Sequence, residues 1–122
     1  MPVIRAHESP TFELPGVRFS AYAAPSRGSH ELCTWQISVE PGHRAAAHTL
    51  DRDETFLVLA GTLRLTPDGE ALGPGDVAIV RAGDEIALAN PGAEEAVAYI
   101  AIAAGFTATT AEGDRLQPPW AR

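Results

Sequence analysis

PGHRAAAHTLDRDETFLVLAG, residues 41–61, is the stretch on which the reading of this chain turns. His48 and Leu50 stand two residues apart, and on a strand such residues share a face. A tight reversal at Asp51-Arg52-Asp53 would bring Glu54 back beside them on the next strand. A second stretch, GDVAIVRAGDEIALAN at residues 75–90, has the same hairpin-like form. Together the two would point a small cluster of side chains into one cavity.

Outward from these stretches the chain alternates strands and turns. Val17–Ala23 sets Val17, Phe19 and Ala21 against Arg18, Ser20 and Tyr22, and Glu31–Glu40 sets Cys33, Trp35, Ile37 and Val39 against Thr34, Gln36 and Ser38. This period of two marks a sheet with one buried face. Phe56–Leu65, interrupted by Gly61, suggests two strands joined at a tight turn. Val77–Val80 and Ile86–Ala89 follow, bounded by Gly-, Asp- and Pro-rich turns. Val97–Ala104 is apolar at every position, as in a strand covered on both faces. No amphipathic helix is visible. Short strands separated by turn signals give an all-β sandwich or barrel.

The two stretches resemble the paired motifs of the cupin superfamily. Gly42, His48, Glu54 and Gly61 fall on the spacing of the first motif without an insertion, with Leu50 where its second histidine belongs. Gly75, Gly83 and Asn90 fall on the second, with Arg81 in place of its proline and Ile86 in place of its histidine. The resemblance covers about 50 of the 122 residues. It implies a single-domain cupin jelly-roll β-barrel of two antiparallel sheets over residues 17–105. Residues 1–16, with Pro2, Pro10 and Pro15, and residues 106–122, with Pro118, Pro119 and Trp120, read as N- and C-terminal arms.

In cupins the His-x-His pair, the Glu and the second-motif His supply metal ligands. Here only His48 and Glu54 carry donor atoms, fewer than the roughly three protein ligands of a catalytic site. No cofactor is therefore expected. His43 points to the opposite face of a regular strand, and His7 and His30 reach the site only if their segments fold over the barrel mouth. The aliphatic replacements make a drier cavity floor. Leu50, Phe56, Val58 and Ile86 are the expected ligand-binding residues of a pocket for a small, largely apolar molecule. His48 and Glu54 are the candidate catalytic residues, a hydrogen-bonded acid/base pair in which the carboxylate sets the imidazole tautomer.

The expected function is a small-molecule-binding barrel, extending to a metal-independent isomerase or cyclase of secondary metabolism. Two alternatives stay open. One is a metal-dependent oxygenase or isomerase in which His48 and Glu54 hold a divalent transition metal weakly within an atypical ligand set. The other is a non-catalytic sensor or accessory barrel. A buried pair that merely satisfies itself would also account for His48 and Glu54.

Composition narrows the partners. Nine basic against sixteen acidic residues give a net charge of −7, without the basic footprint that nucleic acid or an anionic membrane requires. The single Cys33 excludes an intrachain disulfide and reads as a buried small hydrophobe. The first residues lack the apolar core of a secretory signal, and the longest apolar run, Ala96–Phe106, is short for a membrane span. A cytoplasmic homodimer is the resulting expectation, its interface involving the doubly apolar Val97–Ala104 strand.

Overall fold

The computed structural model describes all residues 1–122. Nine strands form: β1 (Thr11–Leu14), β2 (Val17–Ala21), β3 (Leu32–Val39), β4 (His48–Leu50), β5 (Glu54–Ala60), β6 (Val77–Val80), β7 (Ala96–Ala103), β8 (Ala108–Thr110) and β9 (Arg115–Leu116). The only helical pieces are three single turns of 3-10 helix, at Ala6–Glu8, Pro25–Arg27 and Pro119–Ala121. A six-stranded sheet runs β1-β2-β3-β7-β5-β6, and a second sheet runs β4-β8-β9, every pairing antiparallel. Isolated bridges from His48 to Ile86, and from Ala89 to both Arg44 and Arg64, widen the second sheet on its other side. The result is an all-β jelly roll.

The alternation in β2 and β3 is realised as read. Val17, Phe19, Ala21, Cys33, Trp35, Ile37 and Val39 are buried, while Arg18 is exposed. β7 lies between β3 and β5, its Ala96, Ala98, Ile100 and Ile102 buried and its intervening residues half-buried. On that outer face Tyr99 stacks on Tyr22 with ring centroids 5.7 Å apart. The inner faces of the two sheets meet in one core cluster. Each fully buried Ile, Leu, Val or Phe there contributes about 1.5–3 kcal/mol relative to exposure.

The hairpin expectation is corrected for both stretches. Neither quoted stretch is a hairpin. β4 lies in the small sheet and β5 in the large one, so Asp51–Asp53 is a corner where the chain changes sheets. Arg81–Glu85 is a second such corner, between β6 and the bridged residues around Ile86. The acidic residues at these corners satisfy backbone donors: Asp51 Oδ1 accepts from Thr107 N at 2.7 Å, Asp53 Oδ1 from Ala82 N at 2.8 Å, and Asp84 Oδ2 from Arg81 N at 3.2 Å. Gly61 begins the turn after β5 with φ 73°, and a Cβ there would lie 2.4 Å from Glu95 O, so glycine is required twice over.

The flanking segments contribute to the barrel itself. β1 pairs with β2 along its whole length as an edge strand, a position compatible with the prolines on either side. β8 and β9 complete the small sheet, and Phe106 is a core residue. The last turn of the chain docks on the large sheet: Cys33 Sγ donates to Ala121 O at 3.4 Å, Arg27 Nη2 to Trp120 O at 3.5 Å, and Ser26 Oγ to Arg122 O.

Candidate functional site

His48 is fixed from both sides. Its backbone exchanges hydrogen bonds with Ile86, at 2.9 and 2.8 Å, while β4 pairs through it with Thr110 of β8. Its half-buried side chain faces a cavity of about 310 Å³ between the sheets. Leu50 lines the same cavity from β4, and Glu54 and Phe56 line it from β5 across the barrel. The corner at Asp51–Asp53 thus sets His48 and Glu54 on facing sheets.

Two expected lining residues lie elsewhere. Val58 continues the inward row of Glu54 and Phe56, but it is fully buried in the packed core. Ile86 stands directly across from His48, on the same side of the small sheet, and is likewise sealed in the core. The remaining wall comes from residues not assigned to the site by sequence: Phe19, Trp35, Ile37, Ile100, Phe106 and Trp120 among them. Seventeen of the 22 lining residues are hydrophobic. Trp35 and Phe106 face one another at 5.9 Å, and Trp120 stacks on Phe19 at 3.7 Å with planes 10° apart. Period-two alternation marks the strand residues Phe19, Trp35, Ile37 and Ile100 as inward. It cannot tell a wall from a filled core.

The expected His48–Glu54 hydrogen bond is absent. Glu54 is 2% exposed, and its Oε2 is buried without any hydrogen-bond partner. Desolvation with no compensating charge pushes the carboxyl pKa up to about 8. Burial moves His48 the other way, below its ordinary value, with the Ala46 backbone partly opposing. At neutral pH the cavity therefore holds an uncharged carboxylic acid and an uncharged imidazole. The first can give a proton and the second can take one. The other histidines stay out: the His43 ring packs over Gly16, His7 contacts Glu8 on the surface at 3.6 Å, and His30 is exposed.

The second motif's Asn90 has a structural task. It is 1% exposed, its Nδ2 donates to Val39 O at 3.0 Å and Glu94 O at 2.8 Å, and its Oδ1 accepts from Gly92 N at 2.9 Å.

A cupin-type metal centre needs about three protein donors around one open position. Leu50 and Ile86 offer only hydrocarbon, and no third His, Cys, Asp or Glu stands with His48 and Glu54. The residues present do not fit a firmly held ion.

No curated protein matches the sequence. Among solved structures, the polyketide cyclase RemF from Streptomyces resistomycificus superposes with a TM-score of 0.74 at 13% identity, covering 84% of this chain and 79% of that one. An RmlC-like cupin from Ralstonia eutropha gives 0.75 at 11% identity, covering 97% and 78%. A cupin-superfamily sugar phosphate isomerase from Silicibacter pomeroyi gives 0.66 at 20% identity, covering 88% and 80%. At such identities the likeness is one of fold. The family model described as "Cupin domain" matches residues 35–102, from Trp35 in β3 to Ile102 in β7, and so takes in both sheet-changing corners. A jelly roll built on those corners, with matching sequence across more than half its length, belongs to the cupin superfamily.

Proposed function

We propose that this cupin binds a small, uncharged, largely apolar molecule between its sheets and acts on it without a metal, as an isomerase or cyclase. The observation that carries this reading is Glu54: a buried carboxyl group with an unpartnered oxygen, lining an apolar cavity. Folded chains rarely leave such a group unsatisfied, and the exceptions fall at functional positions. Two titratable groups whose surroundings drive their pKa values past one another make an acid/base pair. Glu54 protonates or hydrogen-bonds an oxygen of the ligand while His48 removes a proton from carbon, and the proton balance closes within the cavity.

Charge supports the choice of ligand. All nine basic residues of the chain are arginines, and none lines the cavity, so nothing there would receive a phosphate or a carboxylate. Glu112, which does line it, repels anions.

The reading extends to assembly and location. β6 is an edge strand whose Val77 and Ile79 are 56% and 71% exposed, with Leu59 of β5 also exposed nearby. A second copy covering this apolar edge gives a homodimer, which sedimentation would register as twice the monomer mass. A cytoplasmic location belongs to the same proposal.

The test is a thermal-shift screen of neutral aromatic and polyketide-like molecules, followed by turnover with wild type and His48→Ala. A stabilising ligand whose conversion falls about 100-fold in His48→Ala supports the reading. Equal turnover by both proteins removes His48 from the chemistry.

A further inference from the structure

Leu14 ends β1 and Leu116 ends β9, and both line the cavity while remaining 53% and 40% exposed. β1 is the edge of the large sheet and β9 the edge of the small one, and no ladder joins them. The cavity therefore opens to solvent along this seam.

The last six residues cross the seam. Leaving β9, the chain passes the cavity-lining Pro118 and reaches the large sheet, where Trp120 stacks on Phe19 of β2 and Ala121 lies on Cys33 of β3. Strand pairing does not hold it there. Pro118 and Pro119 have no N–H, and the one backbone–backbone hydrogen bond of the turn, Ala121 N to Pro118 O at 3.0 Å, stays inside it. Attachment falls to Ser26, Arg27 and Cys33, each donating from its side chain to a main-chain oxygen of the turn. Only Ala121 joins the core cluster, and its methyl group gives little apolar area to bury. A segment with few apolar contacts and no ladder opens more readily than the barrel that carries it.

We propose that residues 117–122 form a strap that swings away from the large sheet as a unit while the barrel stays folded, and that a ligand in the cavity holds it shut through Trp120. The proposal rests on the reading of the cavity as a binding site. Trp120 is half-buried, packed on Phe19 and lining the cavity. With the cavity filled, the indole gains contacts that it loses when the strap lifts. A ligand that binds the closed form alone lowers the open fraction by the factor 1 + [L]/Kd. Occupancy and closure thus support each other, and release of the ligand is tied to movement of the last turn.

Cys33 reports the opening. It is the single cysteine, fully buried against Ala121, and it does not line the cavity, so a ligand shields it only through the strap. The experiment follows its reaction with methyl methanethiosulfonate by intact mass, with and without the neutral dye N-phenyl-1-naphthylamine, whose fluorescence rise gives its Kd. Wild type is expected to label at a rate flat in urea up to about half the unfolding midpoint, because local opening exposes little surface. Ser26→Ala removes one exposed anchor and should label about 2- to 10-fold faster at an unchanged midpoint. Dye at about 20 times its Kd should slow wild-type labelling roughly 20-fold, and Trp120→Ala by less than about 3-fold at 20 times its own Kd. Should Trp120→Ala fail to fold, the wild-type and Ser26→Ala arms decide. A labelling rate that climbs steeply from the first addition of urea, or a dye that binds wild type without slowing the reaction, overturns the strap while the cavity reading stands. Failure of the dye to bind overturns the ligand-held strap and the cavity reading together.

Discussion

Asn90 and Glu54 are buried to the same depth, 1% and 2% exposed, and the barrel treats them in opposite ways. Asn90 lies in the packed interior beside Val39, and each hydrogen-bonding atom of the amide has a partner. Around Glu54 the interior opens into a cavity, and its Oε2 has none. The same fold thus satisfies a polar side chain completely where it serves as a tie, and withholds partners where a ligand would supply them. A buried polar residue informs about function through its unmet bonds, not through its burial.

The largest test of this contrast is pH. A carboxyl group raised from 4.5 to about 8 binds more protons in the native than in the unfolded state between those values. Native stability from Glu54 is therefore complete below the unfolded pKa and declines as pH rises through the folded one, by roughly 3–5 kcal/mol in all. Glu54→Gln removes this slope, so chemical denaturation should find the variant more stable than wild type at pH 9 and nearly equal at pH 4. A wild-type-minus-variant difference that stays flat across that range breaks the contrast. His48 runs the other way: its depressed pKa costs stability as pH falls below about 6.5. Because both proteins retain it, it cancels in the difference.

Next in size is Asn90→Ala, which orphans Val39 O, Glu94 O and Gly92 N together. A loss of about 3 kcal/mol in unfolding free energy is expected, with little change in ligand binding to the cavity once the protein is folded. Leu63→Ala in the packed core should cost about 2–5 kcal/mol by leaving a void. Smallest is His48→Ala, whose half-buried ring stands at the cavity edge: a change within about 1 kcal/mol sharpens the distinction between a wall residue and a core residue. A loss as large as that of Leu63→Ala would place His48 among the structural ties.

Much of the fold was legible because glycine, histidine, glutamate and asparagine stand at fixed intervals and β2 and β3 alternate cleanly. The corners were not legible. A short acidic link such as Asp51-Arg52-Asp53 reads alike whether the chain turns back on itself or changes sheets, and only distant pairing with β8 decides. The flanks were read as arms because Pro10, Pro15, Pro118 and Pro119 break any periodic signal, yet prolines sit comfortably beside an edge strand and at the start of a 3-10 turn. At the candidate site, parity and motif position pointed to His48, Leu50, Glu54 and Phe56, which line one cavity. Val58 and Ile86 obey the same parity and are filler, whereas Phe106 and Trp120, outside both motifs, are wall. Which inward side chain meets empty space depends on the volume of every other one, and no local pattern carries that sum.

Trp120 belongs to a turn secured by a thiol, a guanidinium and a hydroxyl, all reaching main-chain oxygens rather than side chains. These anchors do not depend on the side chain at position 120, whereas Ala121 is fully buried in the core and has no room to grow. Exchange at position 120 alone would reshape the chamber and leave the two corners, His48 and Glu54 untouched.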